Sequence, residues 1–234
     1  MPDPTASDQA PTASDQAPTG GETAELTVLP AGDRALLLAP TRREQLPDLV
    51  ELLQAANLPS VQDIQPAAET VLVTLTGTES STAVRAQLGR LVRAGVAANA
   101  GRPKPAQEVT IPVRYGGADL DDVARLLDLS AAEVIAAHTG RTWRCRFIGF
   151  AAGFGYLEPD EPWATVPRRS QSRTSVPAGS VALADTYSAV YPRNSPGGWQ
   201  LLGTTDVRMW DLNRPQPALL RPGTRVRFVE ETRP

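Results

Sequence analysis

The pattern of hydrophobic and polar positions from Glu25 to about Ala98 predicts a small α/β unit. Short apolar stretches bounded by turn residues indicate strands, and longer stretches with apolar residues every three or four positions indicate helices. The predicted strands are Leu26–Leu29, Ala35–Ala39, Val61–Gln65 and Thr70–Leu75, and the predicted helices are Thr41–Ala56 and about Ser80–Ala94. The predicted buried stripes are Leu46, Leu49, Val50 and Leu53 in the first helix and Val84, Leu88, Leu91 and Val92 in the second. The order ββαββα favours a small α/β sandwich with both helices on one face of the sheet.

Two short helices are predicted near the start of the second half of the chain. The elements there are the strand Val109–Tyr115 and the helices Leu120–Leu127 and about Ala131–Ala137. Ser130 and Glu133 form a capping box before the second helix, and Gly140 occupies the position of a left-handed C-cap. A DNA-binding helix-turn-helix is disfavoured, because this helix offers no Arg, Lys, Asn or Gln to a base edge and Glu133 would face phosphates. We therefore expect no nucleic-acid partner.

After Gly140 the apolar stretches are short and interrupted by Gly and Pro, which is typical of a closed or nearly closed β-barrel. The clearest stretches are 142–150 (TWRCRFIGF), 176–184 (VPAGSVALA), 199–204 (WQLLGT) and 224–231 (TRVRFVEE). The predicted fold class is therefore α+β, with the α/β sandwich followed by a barrel.

Four parts are predicted along the chain. They are a disordered tail at 1–22, the α/β domain at 23–98, a linker at 99–108 and the barrel domain at 109–234. The tail contains a perfect seven-residue duplication, Pro4–Ala10 followed by Pro11–Ala17, whose Pro, Ser, Asp and Gln content cannot bury apolar surface. We expect no role for the tail in the chemistry.

Composition and missing motifs argue against several kinds of site. Cys145 and His138 are the only residues of their types, so an intrachain disulfide is excluded and a metal site is not expected. The sequence has no P-loop for a nucleotide, no G-x-S-x-G nucleophile and no methionine beside a lysine for biotin attachment. Without a leader or an apolar run of membrane-spanning length, the protein is expected to be cytoplasmic and to have no membrane partner.

Charge is unevenly distributed. Residues 109–234 carry 15 Lys and Arg against 13 Asp and Glu, whereas residues 1–108 carry 8 against 13. Every basic residue of the second half is Arg, which suits forked recognition of carboxylates or phosphates. A compositional bias of the genome also explains the general excess of Arg, since Lys104 is the only lysine.

Two arginine-bearing segments are candidates for anion binding. In the stretch 142–150, strand alternation directs Trp143, Cys145 and Phe147 to one face and Arg144 and Arg146 to the other. Two residues apart on a strand, these guanidinium groups lie about 6.5–7 Å apart and could hold one anion. The second segment is a Ser-rich loop with three arginines, Arg168, Arg169 and Arg173. A solvated strand face and a solvated basic loop remain the alternatives.

A third candidate is the stretch 191–203 (YPRNSPGGWQLLG). Its residues Pro196, Gly197 and Gly198 predict a tight turn with exposed N–H groups beside Trp199 and Gln200, although a hairpin with a buried Trp fits equally well.

His138 is predicted at the end of a capped helix. A histidine there interacts favourably with the helix dipole, or it serves as the sole general acid or base with a pKa near neutral pH.

Four of these stretches together resemble one protein family closely. They are 138–157 (HTGRTWRCRFIGFAAGFGYL), 165–184 (TVPRRSQSRTSVPAGSVALA), 191–205 (YPRNSPGGWQLLGTT) and 218–228 (ALLRPGTRVRF). They are similar to segments of the family that contains the B subunit of 5-oxoprolinase, allophanate hydrolase subunit 1 and the kinase inhibitor KipI. Where the family usually has proline, this chain has Ala152 and Gly155, which leaves that loop less preorganised.

The resemblance implies a cyclophilin-like barrel after the α/β domain, and an activity that needs partners. The expected partners are the C subunit, which is similar to allophanate hydrolase subunit 2, and the A subunit, which is LamB/YcsF-like. The complex is expected to open the small amide 5-oxo-L-proline to L-glutamate with ATP, which this chain alone is not expected to bind. Related sequences form the carboxyltransferase region of biotin-dependent urea carboxylases, and KipI inhibits a histidine kinase, so these functions remain alternatives.

The expected site follows from the residues and the resemblance together. His138 is expected to transfer protons, Arg144 and Arg173 to bind the substrate carboxylate, and Gly197, Gly198 and Gln200 to make polar contacts.

Overall fold

The computed structural model describes residues 26–77, 81–99 and 107–231. The predicted tail and most of the predicted linker lie outside these residues. The first part of the chain forms a four-stranded antiparallel sheet of order β1-β2-β4-β3. Its strands are β1 Leu26–Pro30, β2 Ala35–Pro40, β3 Val61–Pro66 and β4 Val71–Leu75, and its helices are α1 Leu46–Ala56, preceded by a 3-10 turn at Arg43–Gln45, and α2 Ser81–Asn99. The predicted order ββαββα is therefore confirmed.

One hydrophobic core joins this sheet to its two helices. Alternate residues of β1, β2 and β4 face the helices, so one face of the sheet is buried. The buried residues are Val28, Leu36, Leu38, Val71, Val73 and Leu75 on the strands and Leu46, Leu49, Val50, Leu53, Val84 and Leu88 on the helices. The predicted helix stripes are confirmed at these positions; Leu91 packs against the same core, and the side chain of Val92 lies outside the described residues.

The second part forms a closed seven-stranded barrel of order β10-β7-β6-β13-β5-β12-β9, which closes through pairing of β10 with β9. The barrel strands are β5 Glu108–Tyr115, β6 Trp143–Ile148, β7 Gly155–Pro159, β9 Ser180–Ala184, β10 Tyr187–Val190, β12 Gln200–Thr204 and β13 Arg225–Glu230. Two further strands, β8 Arg173–Val176 and β11 Ser195–Gly197, form a separate pair. The expected α+β class with a barrel is thus confirmed.

Two helices, α3 Leu120–Leu127 and α4 Ala131–Thr139, lie between β5 and β6 in the sequence. The predicted capping box is present, because Glu133 N–H donates to Ser130 Oγ at 3.2 Å and Ser130 N–H donates to Glu133 Oε2 at 2.8 Å. The prediction of a left-handed C-cap at Gly140 is wrong, since its φ is −73°. Glycine is needed there for a different reason: a Cβ would lie 2.8 Å from the carbonyl oxygen of Ala136.

A β-bulge in β6 changes the predicted alternation. Cys145 pairs with Leu157 but Phe147 pairs with Tyr156, so the register shifts between them. Trp143 and Cys145 are buried in the barrel core as predicted. Phe147 does not join them; its ring is partly buried and stacks on Tyr156 at 4.2 Å between ring centres.

Candidate functional site

Asp119 is the centre of a buried ion cluster directly before α3. Its side chain is 1% exposed. Its Oδ1 accepts hydrogen bonds from Nη1 of Arg169 at 2.5 Å and from Nη2 of Arg173 at 2.7 Å. Its Oδ2 accepts a hydrogen bond from the backbone N–H of Leu201 at 2.7 Å. Two guanidinium groups therefore share one carboxylate, and the cluster has a net positive charge.

The glycine turn after β5 places Asp119 against β12. Gly116 and Gly117 both donate their N–H groups to the carbonyl oxygen of Leu202, at 3.2 and 2.8 Å. The N–H of Asp119 then donates to the carbonyl oxygen of Leu201 at 3.0 Å. A Cβ on Gly117 would lie 2.5 Å from that same oxygen, so this close approach requires glycine.

The arginines keep Asp119 ionised. Burial by itself would raise the pKa of the Asp119 carboxyl group. The hydrogen bonds from Arg173 and from the Leu201 N–H, with the charges of Arg173 and Arg169, outweigh burial and hold that pKa below its usual value. Asp119 is therefore a permanent anion at neutral pH, and it orients both guanidinium groups.

Three polar atoms are buried without a hydrogen-bond partner on the two arginines that bind Asp119 and on Gln200, the residue before Leu201: Nε of Arg169, Nη1 of Arg173 and Oε1 of Gln200. Gln200 is 6% exposed, and its Nε2 donates to the carbonyl oxygen of Pro167 at 3.1 Å. Since only the amide nitrogen can donate there, the orientation of the amide is fixed and Oε1 is the free acceptor. We call Asp119, Arg169, Arg173 and Gln200, with the Leu201 N–H, the Asp119 pocket.

Gly197 and Gly198 bring the chain close to this pocket. The predicted tight turn is wrong at Gly197, which lies in β11 and pairs with Arg173. Pro196 is tolerated in β11 because each strand of a two-stranded pair has one unpaired edge, and the N–H that proline lacks is not needed on that edge. The carbonyl oxygen of Gly198 accepts a hydrogen bond from the N–H of Arg169 at 2.8 Å, and a Cβ on Gly198 would lie 2.8 Å from Oγ of Ser172.

An aromatic cluster adjoins the same segment. Trp199, between Gly198 and Gln200, packs edge-to-face against Phe154 at 5.4 Å and Tyr156 at 5.5 Å between ring centres. Arg168 lies over the Trp199 ring at 5.9 Å. The pocket thus combines charged and amide groups with an apolar neighbour, as small-molecule sites commonly do.

The structure brings Arg173, Gly197, Gly198 and Gln200 together but places Arg144 elsewhere. Nε of Arg144 donates to Asp160 at 3.2 Å. Arg144 also lines a cleft of about 730 Å³ between α1 and the barrel, with Arg221 and Thr224. Among the described residues that line this cleft, none belongs to the Asp119 pocket.

His138 lies in the barrel core, fully buried. Its Nδ1 is 2.7 Å from the Tyr115 hydroxyl, its Nε2 is 2.9 Å from Ser188 Oγ, and its ring stacks on Phe228 at 4.4 Å between centres. Burial, with a smaller effect of the charge of Arg141, lowers the pKa of His138 to about 3, so its ring is neutral. These are the contacts of a core histidine, and proton transfer by His138 stays a prediction.

Asp119 and Arg169 are missing from the site expected from sequence. Arg169 was visible as a member of the basic loop, but nothing distinguished it from Arg168. Asp119 lies 50 residues before Arg169, and only the barrel fold brings the two together. The glycine pair before Asp119 was the available signal, because it marks a close backbone approach.

The part of the chain that the structure describes has neither a metal-binding cluster nor a membrane-spanning helix. No group of three His, Cys, Asp or Glu side chains there is arranged to hold a metal ion. No described helix combines the length and the apolar character needed to cross a membrane.

The sequence matches the family of carboxyltransferase domains, subdomains C and D, over residues 26–220, and the chain belongs to this family. The B subunit of 5-oxoprolinase from Escherichia coli O157:H7 is 39% identical over 178 residues, which are 75% of this chain and 80% of that protein. The crystal structure of TTHA0988 in space group P6522 matches with a TM-score of 0.68 at 37% identity, over 86% of this chain. The chain spans only 40% of the length of TTHA0988.

A more distant structure shares the fold. The urea amidolyase of K. lactis matches with a TM-score of 0.70 over 88% of this chain and 15% of that chain, at 18% identity. This likeness shows the architecture alone.

Proposed function

We propose that this chain is the B subunit of an ATP-dependent 5-oxoprolinase, which opens the lactam of 5-oxo-L-proline to give L-glutamate. The observation that carries the proposal is the relation to the E. coli protein named as the B subunit of 5-oxoprolinase, which extends over most of both chains. The Asp119 pocket supports the same substrate, because its excess positive charge suits the carboxylate of 5-oxoproline. Urea has no charge to match it, and the urea amidolyase supports only the fold.

The chain's own contribution is binding and orientation. Opening the lactam requires water to add to the ring carbonyl carbon, the ring C–N bond to break, and the nitrogen to gain a proton. ATP bound by the complex supplies the free energy for this step. The Asp119 pocket holds the substrate, while the single histidine, His138, bonds to Ser188 inside the buried barrel core. We therefore propose that the A and C subunits supply the remaining catalytic groups. We also propose that the complex works in the cytoplasm.

The test is reconstitution. The purified chain alone is expected to release no glutamate from 5-oxo-L-proline, whereas co-expression with the LamB/YcsF-like partner and the partner similar to allophanate hydrolase subunit 2 should give ATP-dependent release. Turnover by the chain alone would contradict the need for partners. An intact complex of all three proteins without turnover would contradict the oxoprolinase assignment.

A further inference from the structure

We propose that the Asp119 pocket recognises one edge of the substrate, formed by a carboxylate and a neighbouring amide N–H. Arg169 and Arg173 bind the carboxylate, and Gln200 accepts the hydrogen bond from the N–H. This inference rests on the proposed function for the identity of the substrate, but its chemistry can be tested separately.

The charges of the pocket call for one anionic ligand group. Asp119 neutralises one of the two guanidinium charges that contact it. The other positive charge has no carboxylate partner within the pocket, and a single carboxylate on the ligand would balance it. Charge-assisted hydrogen bonds between Arg and carboxylate are about twice as strong as neutral ones, and the forked geometry adds specificity.

The unpartnered atoms define where that group binds. Arg169 uses Nη1 and Arg173 uses Nη2 to bind Asp119, which leaves Nε of Arg169 and Nη1 of Arg173 without acceptors. These two nitrogens are covered, but 32% of the Arg169 side chain and 23% of the Arg173 side chain are exposed. A carboxylate that arrives from the exposed side reaches the free donors after a side-chain adjustment of the kind that commonly accompanies binding.

Gln200 adds a requirement that a simple anion does not meet. Its amide nitrogen is held by Pro167, so its buried oxygen can only accept a hydrogen bond. Gln200 also directly precedes Leu201, whose N–H binds Asp119, and it bonds to Pro167, two residues before Arg169, so it is tied to the same two segments as the arginine pair. A ligand that satisfies both has an N–H next to a carboxylate. In 5-oxoproline the lactam nitrogen and the carboxylate are attached to the same carbon, which matches this pattern.

Asp119 is the positioning residue of the pocket. Both its oxygens are occupied by protein donors, so it does not contact the ligand itself. It fixes which nitrogens each guanidinium group presents to the ligand. A substitution of Asp119 should therefore weaken only the contact between the arginines and the ligand carboxylate.

The test compares ligands that lack one group each in the assembled complex. The substrate is 5-oxo-L-proline. Two analogues serve as inhibitors: 2-pyrrolidinone, which lacks the carboxylate, and N-methyl-5-oxo-L-proline, which lacks the N–H. The variants are Arg169→Lys, Asp119→Asn and Gln200→Met. Arg227→Lys is the matched control, because Arg227 is 53% exposed, contacts Glu108 at 3.0 Å and lies on β13, which β5 separates from β12 in the barrel.

The expected results separate the two ligand groups. Arg169→Lys and Asp119→Asn should lower kcat/KM for 5-oxo-L-proline by roughly 10- to 150-fold and leave the inhibition constant of 2-pyrrolidinone unchanged. Gln200→Met should lower kcat/KM for 5-oxo-L-proline and leave the inhibition constant of N-methyl-5-oxo-L-proline unchanged. Arg227→Lys should change none of these values. The inference would be overturned if these variants weakened the binding of all three ligands equally. Unchanged kinetics with 5-oxo-L-proline would overturn it as well.

Binding distinguishes this inference from the proposed function. If the wild-type complex shows no turnover but 5-oxo-L-proline raises its melting temperature, and Arg169→Lys abolishes that rise, the pocket is supported and the oxoprolinase assignment is wrong. If wild-type turnover is normal and the variants behave like wild type, the assignment stands and the pocket is wrong. If neither turnover nor a melting shift occurs, both are wrong.

Discussion

Two regions of this protein each place two arginines on one buried carboxylate, and they use the arrangement differently. In the Asp119 pocket both guanidinium groups contact the same oxygen, and the other oxygen is taken by a backbone N–H. In the second region, which we call the Glu158 cluster, Arg43 contacts Oε1 of Glu158 and Arg146 contacts Oε2. The pocket leaves buried donors unused, whereas no side-chain atom of the Glu158 cluster is buried and unpartnered in the described chain.

The positions of the two regions explain this difference. Arg43 lies in the 3-10 turn before α1, and Glu158 and Arg146 lie on the barrel strands β7 and β6. The Glu158 cluster therefore connects the first sheet with the barrel and has a structural task. The Asp119 pocket lies within the barrel part alone, where the β8–β11 pair meets β12. Residue types alone do not distinguish these two regions, but their buried donors and acceptors do, because only those of the Asp119 pocket remain partly unpartnered.

The largest expected effect concerns the stability of the two carboxylate sites. Asp119→Asn should lower the free energy of unfolding by about 2–3 kcal/mol, below the range for fully buried pairs because both arginines are partly exposed. Either orientation of the new amide turns its NH2 group toward a donor, the guanidinium groups or the Leu201 N–H. Urea unfolding of the chain measures this change.

The matched variant is Glu158→Gln, for which we expect a loss of about 1 kcal/mol. Arg43 is 46% exposed and can turn to solvent when the new amide opposes it. A loss at Glu158 as large as that at Asp119 would contradict the distinction between the two regions.

The next effect concerns activity. Arg173→Lys should lower kcat/KM of the complex by roughly 10- to 150-fold, because an ammonium group cannot contact Asp119 and a ligand carboxylate in the same forked geometry. Arg144→Lys tests the expectation from sequence that Arg144 shares this task. Since Arg144 contacts Asp160 and lies apart from the Asp119 pocket, we expect kcat/KM to fall by less than about threefold.

Co-purification of the variants with the partner similar to allophanate hydrolase subunit 2 completes this test. Failed assembly of either variant would assign that arginine to the interface between the two proteins. Equal kinetic losses for both arginines would show that the cleft also takes part in the reaction.

Local features of the fold could be predicted from sequence, because short-range physics determines them. The capping box of Ser130 and Glu133 lies within four residues, and the stripes of α1 and the alternation of β4 follow from periodicity. The strands β7, β8, β10 and β11 were not predicted, since β7, β8 and β11 contain few apolar residues and β10 has only four residues.

The candidate site was only half predictable. Arg173, Gly197, Gly198 and Gln200 could be selected because they share short segments with unusual composition. Their common carboxylate could not, because Asp119 is joined to them only by pairings between distant strands. The position of His138 in the core was also hidden, since its hydrogen-bond partners Tyr115 and Ser188 lie far away in the sequence.

A moderate effect is expected at His138, which is as buried as Asp119 but bonds to neutral groups. Its pKa is about 3 in the folded protein and about 6.5 when unfolded, so the unfolded chain binds the proton first as the pH falls. Stability is therefore greatest above pH 6.5 and should decrease by about 1.4 kcal/mol at pH 5.5. His138→Gln should remove this loss of stability, as measured by the free energy of unfolding at pH 5.5 and at a pH above 6.5.

The same variant tests proton transfer. A core role leaves kcat largely unchanged in His138→Gln when the complex stays folded, whereas a loss of several hundredfold would restore His138 as the general acid or base.

The smallest effect distinguishes the two regions by salt. Arg43→Gln should cost about 0.5 kcal/mol in 50 mM NaCl and close to nothing in 500 mM NaCl, because Arg43 is half exposed and salt screens its contact with Glu158. Arg169→Gln removes a contact with a carboxylate that is 1% exposed, so its destabilisation should change little over the same range. Unfolding free energies of both variants and the wild type at the two salt concentrations give the comparison. A loss of unfolding free energy in Arg43→Gln that does not depend on salt would mean that the Glu158 cluster is shielded from solvent as the Asp119 pocket is. The contact between the first sheet and the barrel would then be tighter than the exposure of Arg43 indicates.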